Sequence, residues 1–382
     1  MRLAIPLSGT DRGRSGLGAW VHAVLPRLIA ALGGPSDDLQ VIGTQDELDA
    51  YAPYAAGATR IVLPSWAGKP AVSAALHLLA VDRLARARGA EVLLMPSGNR
   101  RFAYRPCLPT VTVVHDLAFL QVARKFGWLR DVWVSRVLPA ALEAQTQLVA
   151  ISQSTRRDLS KVLRTPRDVL VVPNGVEAER FADGVELSAR VVEVRRRYGL
   201  VRPFLIYGAR LELPGKNHLR LLDAFASVSQ RHGVDLVLAG ADWGAEAAVR
   251  AAVTRLGLEG RVKLLGFVPR SDLEALVKGA TALACVGLYE GFGLPALEAL
   301  AAGVPPVVST TGALPEVVGP LGVLCDPHDV SSMTDALDRV LTDEGVQSRA
   351  RLDGPLHAAT FSWDATAAAL VRACREAMGA SS

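Results

Sequence analysis

Two carboxylates, Glu290 and Glu298, bracket the stretch Tyr289-Glu290-Gly291-Phe292-Gly293-Leu294-Pro295-Ala296-Leu297-Glu298. Pro295 fits the first turn of a helix. Gly291 and Gly293, just before it, leave main-chain N–H groups open to an approaching ligand. Glu290 then lies in the loop, whereas Glu298 falls about one turn into the helix. Carboxylates accept hydrogen bonds from hydroxyls, so the block suits a hydroxyl-rich ligand, with a separate partner for each carboxylate. Glu298 alone also reads as an acid favoured by the helix dipole, but dipole chemistry does not require the glycine loop.

Four further clusters carry polar chemistry. Gly208-Ala209-Arg210 precedes Gly215-Lys216-Asn217 by a few residues. Arg210 can grip a phosphate through two parallel N–H bonds, and Lys216 adds a compact charge. Together they suit a leaving diphosphate, or else are two solvated loop charges. Gly13-Arg14-Ser15-Gly16-Leu17-Gly18 offers a glycine turn at a helix N-terminus, which suits an anion and equally suits a plain structural turn. His115-Asp116 follows the apolar run Thr110–Val114. There the histidine can contact a ligand or share a proton, or simply be structural, and Asp116 can orient the loop or cap the following segment. Arg100, Arg101, Arg105, Arg124 and Lys125 are interleaved with Phe102, Tyr104 and Phe126. That stretch reads as a site for a phosphorylated or lipid-linked ligand at a membrane surface, or as a solvated basic face.

Apolar runs of strand length alternate with helical patterns and position these clusters. Strands are expected at Arg2–Leu7, Gln40–Gly43, Glu91–Met95, Thr110–Val114, Leu148–Ile151 and Val169–Val172. Helices are expected at Gly18–Leu32, Val72–Arg88, Asp131–Glu143 and Gln153–Leu163, the last capped by Ser152 or Ser154. After the turn Pro173-Asn174-Gly175 the alternation restarts. Strands at Phe204–Gly208, Asp235–Gly240, Val262–Leu264, Ala282–Val286 and Val307–Ser309 alternate with helices at Leu219–Arg231, Ala245–Leu256, Asp272–Lys278 and Pro295–Ala302. A basic helix over Ser188–Tyr198 leads into them. This alternation predicts an α/β fold of two Rossmann-like domains with parallel sheets. The divisions expected are 1–185, 186–361, and a last helix over 362–382 that returns to the first domain. Open α/β sheets bind ligands beyond the carboxyl ends of their strands, where the clusters fall.

At 382 residues the chain is long enough for two cores. Its net charge of +4 suits anionic ligands or an anionic membrane surface. No nucleic-acid partner is expected, and the oligomeric state is not set by the sequence. Cys107, Cys285, Cys325 and Cys374 show no C-x-x-C pairing, which predicts a reduced cytoplasmic protein. No signal core or long apolar run is evident. No Asp-x-Asp follows a strand, so no metal is expected.

Taken together, these motifs resemble the retaining, GT-B-fold glycosyltransferases of family 4. The likeness is strongest over Val172-Pro173-Asn174-Gly175-Val176, Gly208–Asn217 and Tyr289–Val308, and the Glu-x7-Glu pattern is its most specific element. One departure is Val113 where the family often has Thr, two places before its His-Asp pair. The resemblance implies two domains facing a cleft, with the nucleotide held mainly by the C-terminal one. Arg210 and Lys216 would contact the donor diphosphate, with Gly208 in the same loop, and Glu298 would contact the ribose. Glu290 and the backbone of Gly291, Phe292, Gly293 and Leu294 would hold the transferred sugar. His115 would reach that sugar, Gly16 and Gly18 would lie near the phosphates, and Asp116, Arg100 and Arg101 would serve the acceptor. The implied reaction moves a hexose from a nucleotide sugar, with GDP-mannose favoured, to a glycan, lipid-linked or small-molecule acceptor. No cofactor is implied, and the place of action would be the cytoplasm, at the inner face of the plasma membrane. The alternatives are a catalytically silent sugar-nucleotide-binding module, a sugar-nucleotide epimerase or a phosphorylase-like enzyme on the same architecture, or a nicotinamide oxidoreductase. The last lacks both the Gly-x-Gly-x-x-Gly order and a ribose-binding acid about twenty residues on.

Overall fold

In the computed structural model, the described residues are 1–13, 15–98, 100–118 and 136–380. Arg14, Arg124, Lys125, Phe126 and the start of the helix expected over Asp131–Glu143 lie outside them. The chain divides into two units, each with its own sheet. The division falls between Gly175 and Val176, in the Pro173-Asn174-Gly175 turn.

The first unit contains seven parallel strands: β1 (Arg2–Pro6), β2 (Asp38–Thr44), β3 (Thr59–Leu63), β4 (Val92–Met95), β5 (Thr110–Val114), β6 (Gln147–Ala150) and β7 (Val169–Val171). Their order is β3-β2-β1-β4-β5-β6-β7, so the direction of winding reverses between β1 and β4. Every residue of β4 and β5 is buried, as a central parallel strand covered on both faces requires. β3 has no counterpart among the expected strands. It is an edge strand with Thr59, Arg60 and Val62 exposed, and its polar residues break the apolar run that marks central strands.

The helix expected over Val72–Arg88 is two helices, Pro70–Leu79 and Val81–Ala87, separated at Ala80, where φ is −143°. The Leu78 carbonyl there accepts from the Tyr104 N–H at 2.9 Å, a partner outside the helix. Ser152 caps Gln153–Val162 by accepting from Thr155 N, so Ser154 does not. The final helix, Trp363–Gly379, belongs to this unit and packs on Gly16–Leu32. Thr366 Oγ1 donates to the Pro173 carbonyl at 2.7 Å. A Cβ on Gly175 would lie 2.1 Å from Trp363 N, so only glycine lets that helix dock here.

The second unit has six parallel strands: β8 (Phe204–Gly208), β9 (Asp235–Ala239), β10 (Val262–Gly266), β11 (Ala282–Cys285), β12 (Pro306–Ser309) and β13 (Val323–Cys325). The order β10-β9-β8-β11-β12-β13 is that of a dinucleotide-binding sheet and puts the switch point between β8 and β11. Leu205, Tyr207, Leu236, Leu238, Phe225 and Val249 form part of its core, each 1% exposed or less. Each large apolar side chain so buried contributes about 1.5–3 kcal/mol. β13 is again an edge strand, three residues long with Leu324 exposed, and has no counterpart among the expected strands.

Candidate active site

The second unit gathers its polar groups at the carboxyl edge of β8 and β11. The loop leaving β8 carries Gly208, Ala209 and Arg210 and ends at Lys216 and Asn217, where the helix His218–His232 begins. Asn217 is buried in the left-handed region at φ +59°, a conformation asparagine tolerates better than most residues. Its Nδ2 donates to the carbonyls of Val286 at 3.0 Å and Pro327 at 2.7 Å. The loop after β11 runs from Val286 to Gly293, and Leu288 N–H donates to the Gly215 carbonyl at 2.9 Å. The two loops are thereby tied together, and Lys216 Nζ reaches Glu290 Oε1 at 2.7 Å. Burial lowers the Lys216 pKa, but the charge and hydrogen bond of Glu290 outweigh it and hold the ammonium above its ordinary value.

Glu290 sits in a cradle of glycines that sequence reasoning does not single out. A Cβ on Gly312 would lie 2.3 Å from the Glu290 carbonyl oxygen, and one on Gly287 would lie 2.9 Å from Glu290 Oε1. Ala313 N–H donates to the Glu290 carbonyl at 2.9 Å, while Thr311 Oγ1 and Ser309 Oγ donate to the carbonyls of Leu288 and Gly287. Gly240, just past β9, is forced in the same way, because a Cβ would stand 2.1 Å from the Ala209 carbonyl oxygen. All three glycines lie just beyond a strand end, and that placement is the signal that could have found them.

Arg210 donates from Nε to Glu212 Oε2 at 2.5 Å, and its Cζ lies 4.4 Å from the centroid of the Trp243 ring. Gly293, at φ +98°, caps the helix Leu294–Ala301, with Pro295 in its first turn. Phe292 is buried against Phe361, so a ligand at 291–294 would meet backbone there. Glu298 is 8% exposed and pairs with Arg270 Nη2 at 2.7 Å. Arg270 also bonds Glu274 at 2.9 Å. Burial pushes the Glu298 carboxyl up, and the Arg270 guanidinium opposes that rise. Glu290 and Glu298 therefore have separate cationic partners. Arg270 is not found by motif, although it too lies just beyond a strand end, that of β10.

The remaining predicted residues lie in the first unit. The helix starts at Gly16, with Ser15 capping Gly18 N, and a Cβ on Gly18 would lie 2.4 Å from Gly13 Cα. Close backbone packing thus explains Gly18, whereas a Cβ on Gly16 would meet nothing within 4 Å. His115 follows β5 and is half-buried, with Nε2 2.8 Å from the Pro96 carbonyl and its ring edge-on to Trp20. Burial holds its pKa down at about 4. The neutral ring donates from Nε2 to that carbonyl and leaves Nδ1 as an acceptor for a hydroxyl. Asp116 is half-buried beside it. Arg100 is exposed and pairs with Asp11 at 3.0 Å, while Arg101 packs beneath Gly9 and reaches Ser73 Oγ at 3.4 Å. The aromatic part of this stretch is thinner than the sequence suggests, because Phe102 is in the core, although Tyr104 is exposed. Among the described residues no group of His, Cys, Asp and Glu is placed to hold a metal, and no helix is long and apolar enough to cross a membrane.

Two Rossmann-like parallel sheets are the GT-B architecture, and the comparisons with known proteins give the class. Residues 195–354 match the family described as glycosyl transferases group 1, and residues 21–180 match glycosyltransferase family 4. The chain belongs to this glycosyltransferase family and is an enzyme that transfers sugar. It is 30% identical to O-antigen chain mannosyltransferase B of Escherichia coli over 66% of this chain and 67% of that protein. It is 32% identical to MMP alpha-(1->4)-mannosyltransferase of Mycolicibacterium hassiacum over 61% of this chain and 54% of that protein. Sucrose-phosphate synthase from Thermosynechococcus elongatus shares the fold over 100% of both chains, with TM-score 0.78 at 20% identity.

Proposed function

We propose that the chain moves a hexose, with mannose favoured, from a nucleoside-diphosphate sugar to a hydroxyl of a glycan, lipid-linked or small-molecule acceptor. The observation that carries this reading is the 2.7 Å pair of Lys216 and Glu290 at the β8/β11 switch point. A cation suited to a diphosphate and a carboxylate suited to a sugar hydroxyl are neighbours there. Mannose is favoured because relatives named as mannosyltransferases are among the most similar.

Transfer passes through an oxocarbenium-like state in which the bond from the anomeric carbon to the phosphate oxygen breaks. Negative charge grows on the leaving diphosphate. Lys216 has three N–H donors, so it can keep Glu290 and still meet a phosphate oxygen. Arg210 and the N-terminus of Leu294–Ala301 add fixed donors, and losing one such group costs about 3 kcal/mol. The acceptor oxygen bonds to the anomeric carbon on the face the phosphate left, and its proton passes to the leaving phosphate, which retains the configuration. Glu290 and the 291–294 backbone hold the sugar, Glu298 accepts from the ribose, and His115 Nδ1 accepts from a substrate hydroxyl. Gly16 and Gly18 lie near the phosphates, and Arg100, Arg101 and Asp116 serve the acceptor. Guanidinium and ammonium charge stand in for a metal, so the reading includes full turnover in EDTA and needs no cofactor. It also includes a cytoplasmic place of action at the inner face of the plasma membrane, supported by exposed Tyr104 with Arg105 over its ring.

A melting-point screen against GDP, UDP and their hexose conjugates tests the reading, because a bound ligand stabilises the fold by mass action. One nucleotide and its sugar should raise the melting point of the wild type and not that of Lys216→Ala. No rise with any of them, or donor conversion without an acceptor as an epimerase would show, overturns the proposal.

A further inference from the structure

Trp243 is 57% exposed, yet it sits in a loop with little freedom. Its backbone N–H donates to the Leu211 carbonyl at 2.9 Å, and the Leu211 backbone N–H donates to the Ala241 carbonyl at 2.9 Å. Asp242 Oδ1 accepts from the N–H groups of Gly244, Ala245 and Glu246 at 2.8–3.0 Å. A large aromatic carried into solvent on a well-bonded loop gains little from burial, so its position calls for another cause. The Arg210 guanidinium lies on its ring at 4.4 Å, within cation–π range. Glu212 takes the Nε edge of the same group at 2.5 Å. One face and one edge of the guanidinium are thereby fixed. Among the described residues no hydrogen bond engages Nη1 or Nη2, the pair that forms a fork for a phosphate.

We propose that Trp243 is a positioning residue: with Glu212 it fixes the plane and rotation of Arg210, so that the Nη1–Nη2 fork is preset for the donor's diphosphate. This rests on the assignment of Arg210 to the diphosphate given above. A free arginine side chain would lose rotamer freedom when it gripped a phosphate, and a stacked one has already lost it. Glu212 keeps its distance from the fork by binding at Nε, so its carboxylate orients the group without occupying the anion's place. Phenylalanine also presents a ring face and should substitute for Trp243, whereas alanine should not.

Titration calorimetry with GDP and with UDP, on wild type, Trp243→Ala, Trp243→Phe, Arg210→Ala and Trp243→Ala/Arg210→Ala, tests the clamp. Trp243→Ala should weaken binding of the nucleotide that wild type prefers by roughly fivefold when Arg210 is present. It should add nothing in the Arg210→Ala background, and Trp243→Phe should recover most of the loss. Coupling of this kind is what a double-mutant cycle isolates. An equal loss in both backgrounds, or no loss with Arg210 present, overturns the clamp while leaving the diphosphate assignment standing. If Arg210→Ala alone binds the nucleotide as wild type does, the diphosphate assignment itself fails, and the clamp with it.

Discussion

The ammonium of Lys216 and the carboxylate of Glu290, 74 residues apart in sequence, meet at 2.7 Å. Neither side chain is left to find the other. The Tyr207 hydroxyl donates to the Lys216 carbonyl at 2.9 Å, and Asn217 bonds to the Val286 carbonyl beside β11. Glu290 is fixed in turn by Ala313 N–H and by the glycines packed against it. The pair thus belongs to the join between two loops, and its geometry follows from the reversal of winding between β8 and β11.

Replacing Lys216 with alanine removes one fixed donor and leaves Glu290 without its cation. Turnover should fall 100-fold or more, in line with about 3 kcal/mol of lost transition-state stabilisation. Stability should fall by only about 1–3 kcal/mol, the cost of a partly buried group losing its partner. Steady-state rates and urea unfolding on the same preparation separate the two effects. Wild-type turnover by this variant would remove Lys216 from the reaction.

Much of this geometry was legible in the sequence, because α/β folds concentrate chemistry just beyond strand ends. Gly208–Asn217 and Tyr289–Glu298 are local motifs, and local spacing fixes which loop each occupies. Partners are a different matter. Nothing in the spacing pairs Lys216 with Glu290 or Arg270 with Glu298, since those contacts depend on which strands lie side by side. The place of Gly312 and Gly240 beyond strand ends was visible, but what they pack against was not, as the atoms that forbid a Cβ there belong to distant residues. The strands that escaped, β3 and β13, lie at sheet edges, where apolar patterning weakens.

Gly312→Ala tests whether the glycine cradle matters. Gly312 has φ +67°, and its added methyl would stand 2.3 Å from the Glu290 carbonyl oxygen and 2.9 Å from Glu290 N. Backbone must move, and the backbone nearest is that of Glu290. The variant should lose about 1–3 kcal/mol of stability from strain alone. Its turnover should fall further than that of a distant variant of equal stability, such as Gly257→Ala. Gly257 also has positive φ, but a Cβ there would meet nothing within 4 Å. Equal turnover in the two variants would mean that the Glu290 loop tolerates displacement.

Acid should weaken the first unit through two histidines, one buried and one half-buried. His77 and His115 have pKa values held down to about 4, in both cases chiefly by burial. In the unfolded chain each returns to about 6.5. Between those limits the unfolded state binds more protons than the native state, so stability falls as pH drops from about 6.5 toward 4. For fully buried His77 the loss is on the order of 1–3 kcal/mol. Urea midpoints measured across that range should slope less in His77→Gln than in wild type. An unchanged slope would assign the acid sensitivity to other groups.

Arg270→Gln probes the second carboxylate. Burial already pushes Glu298 above the usual carboxylate range, and Arg270, 2.7 Å away, is what opposes it. Without the guanidinium the pKa should climb further, and a protonated carboxyl loses an acceptor site. If Glu298 accepts from the donor's ribose, KM for donor should rise more steeply with falling pH in Arg270→Gln than in wild type. Turnover at saturating donor should be affected less, because the ribose is remote from the bonds that change. Adding Glu298→Gln removes the titrating group, so the double variant should show a weak but pH-independent KM. A KM that stays flat with pH in Arg270→Gln itself would separate Glu298 from donor binding and leave the Arg270 pair a purely structural one.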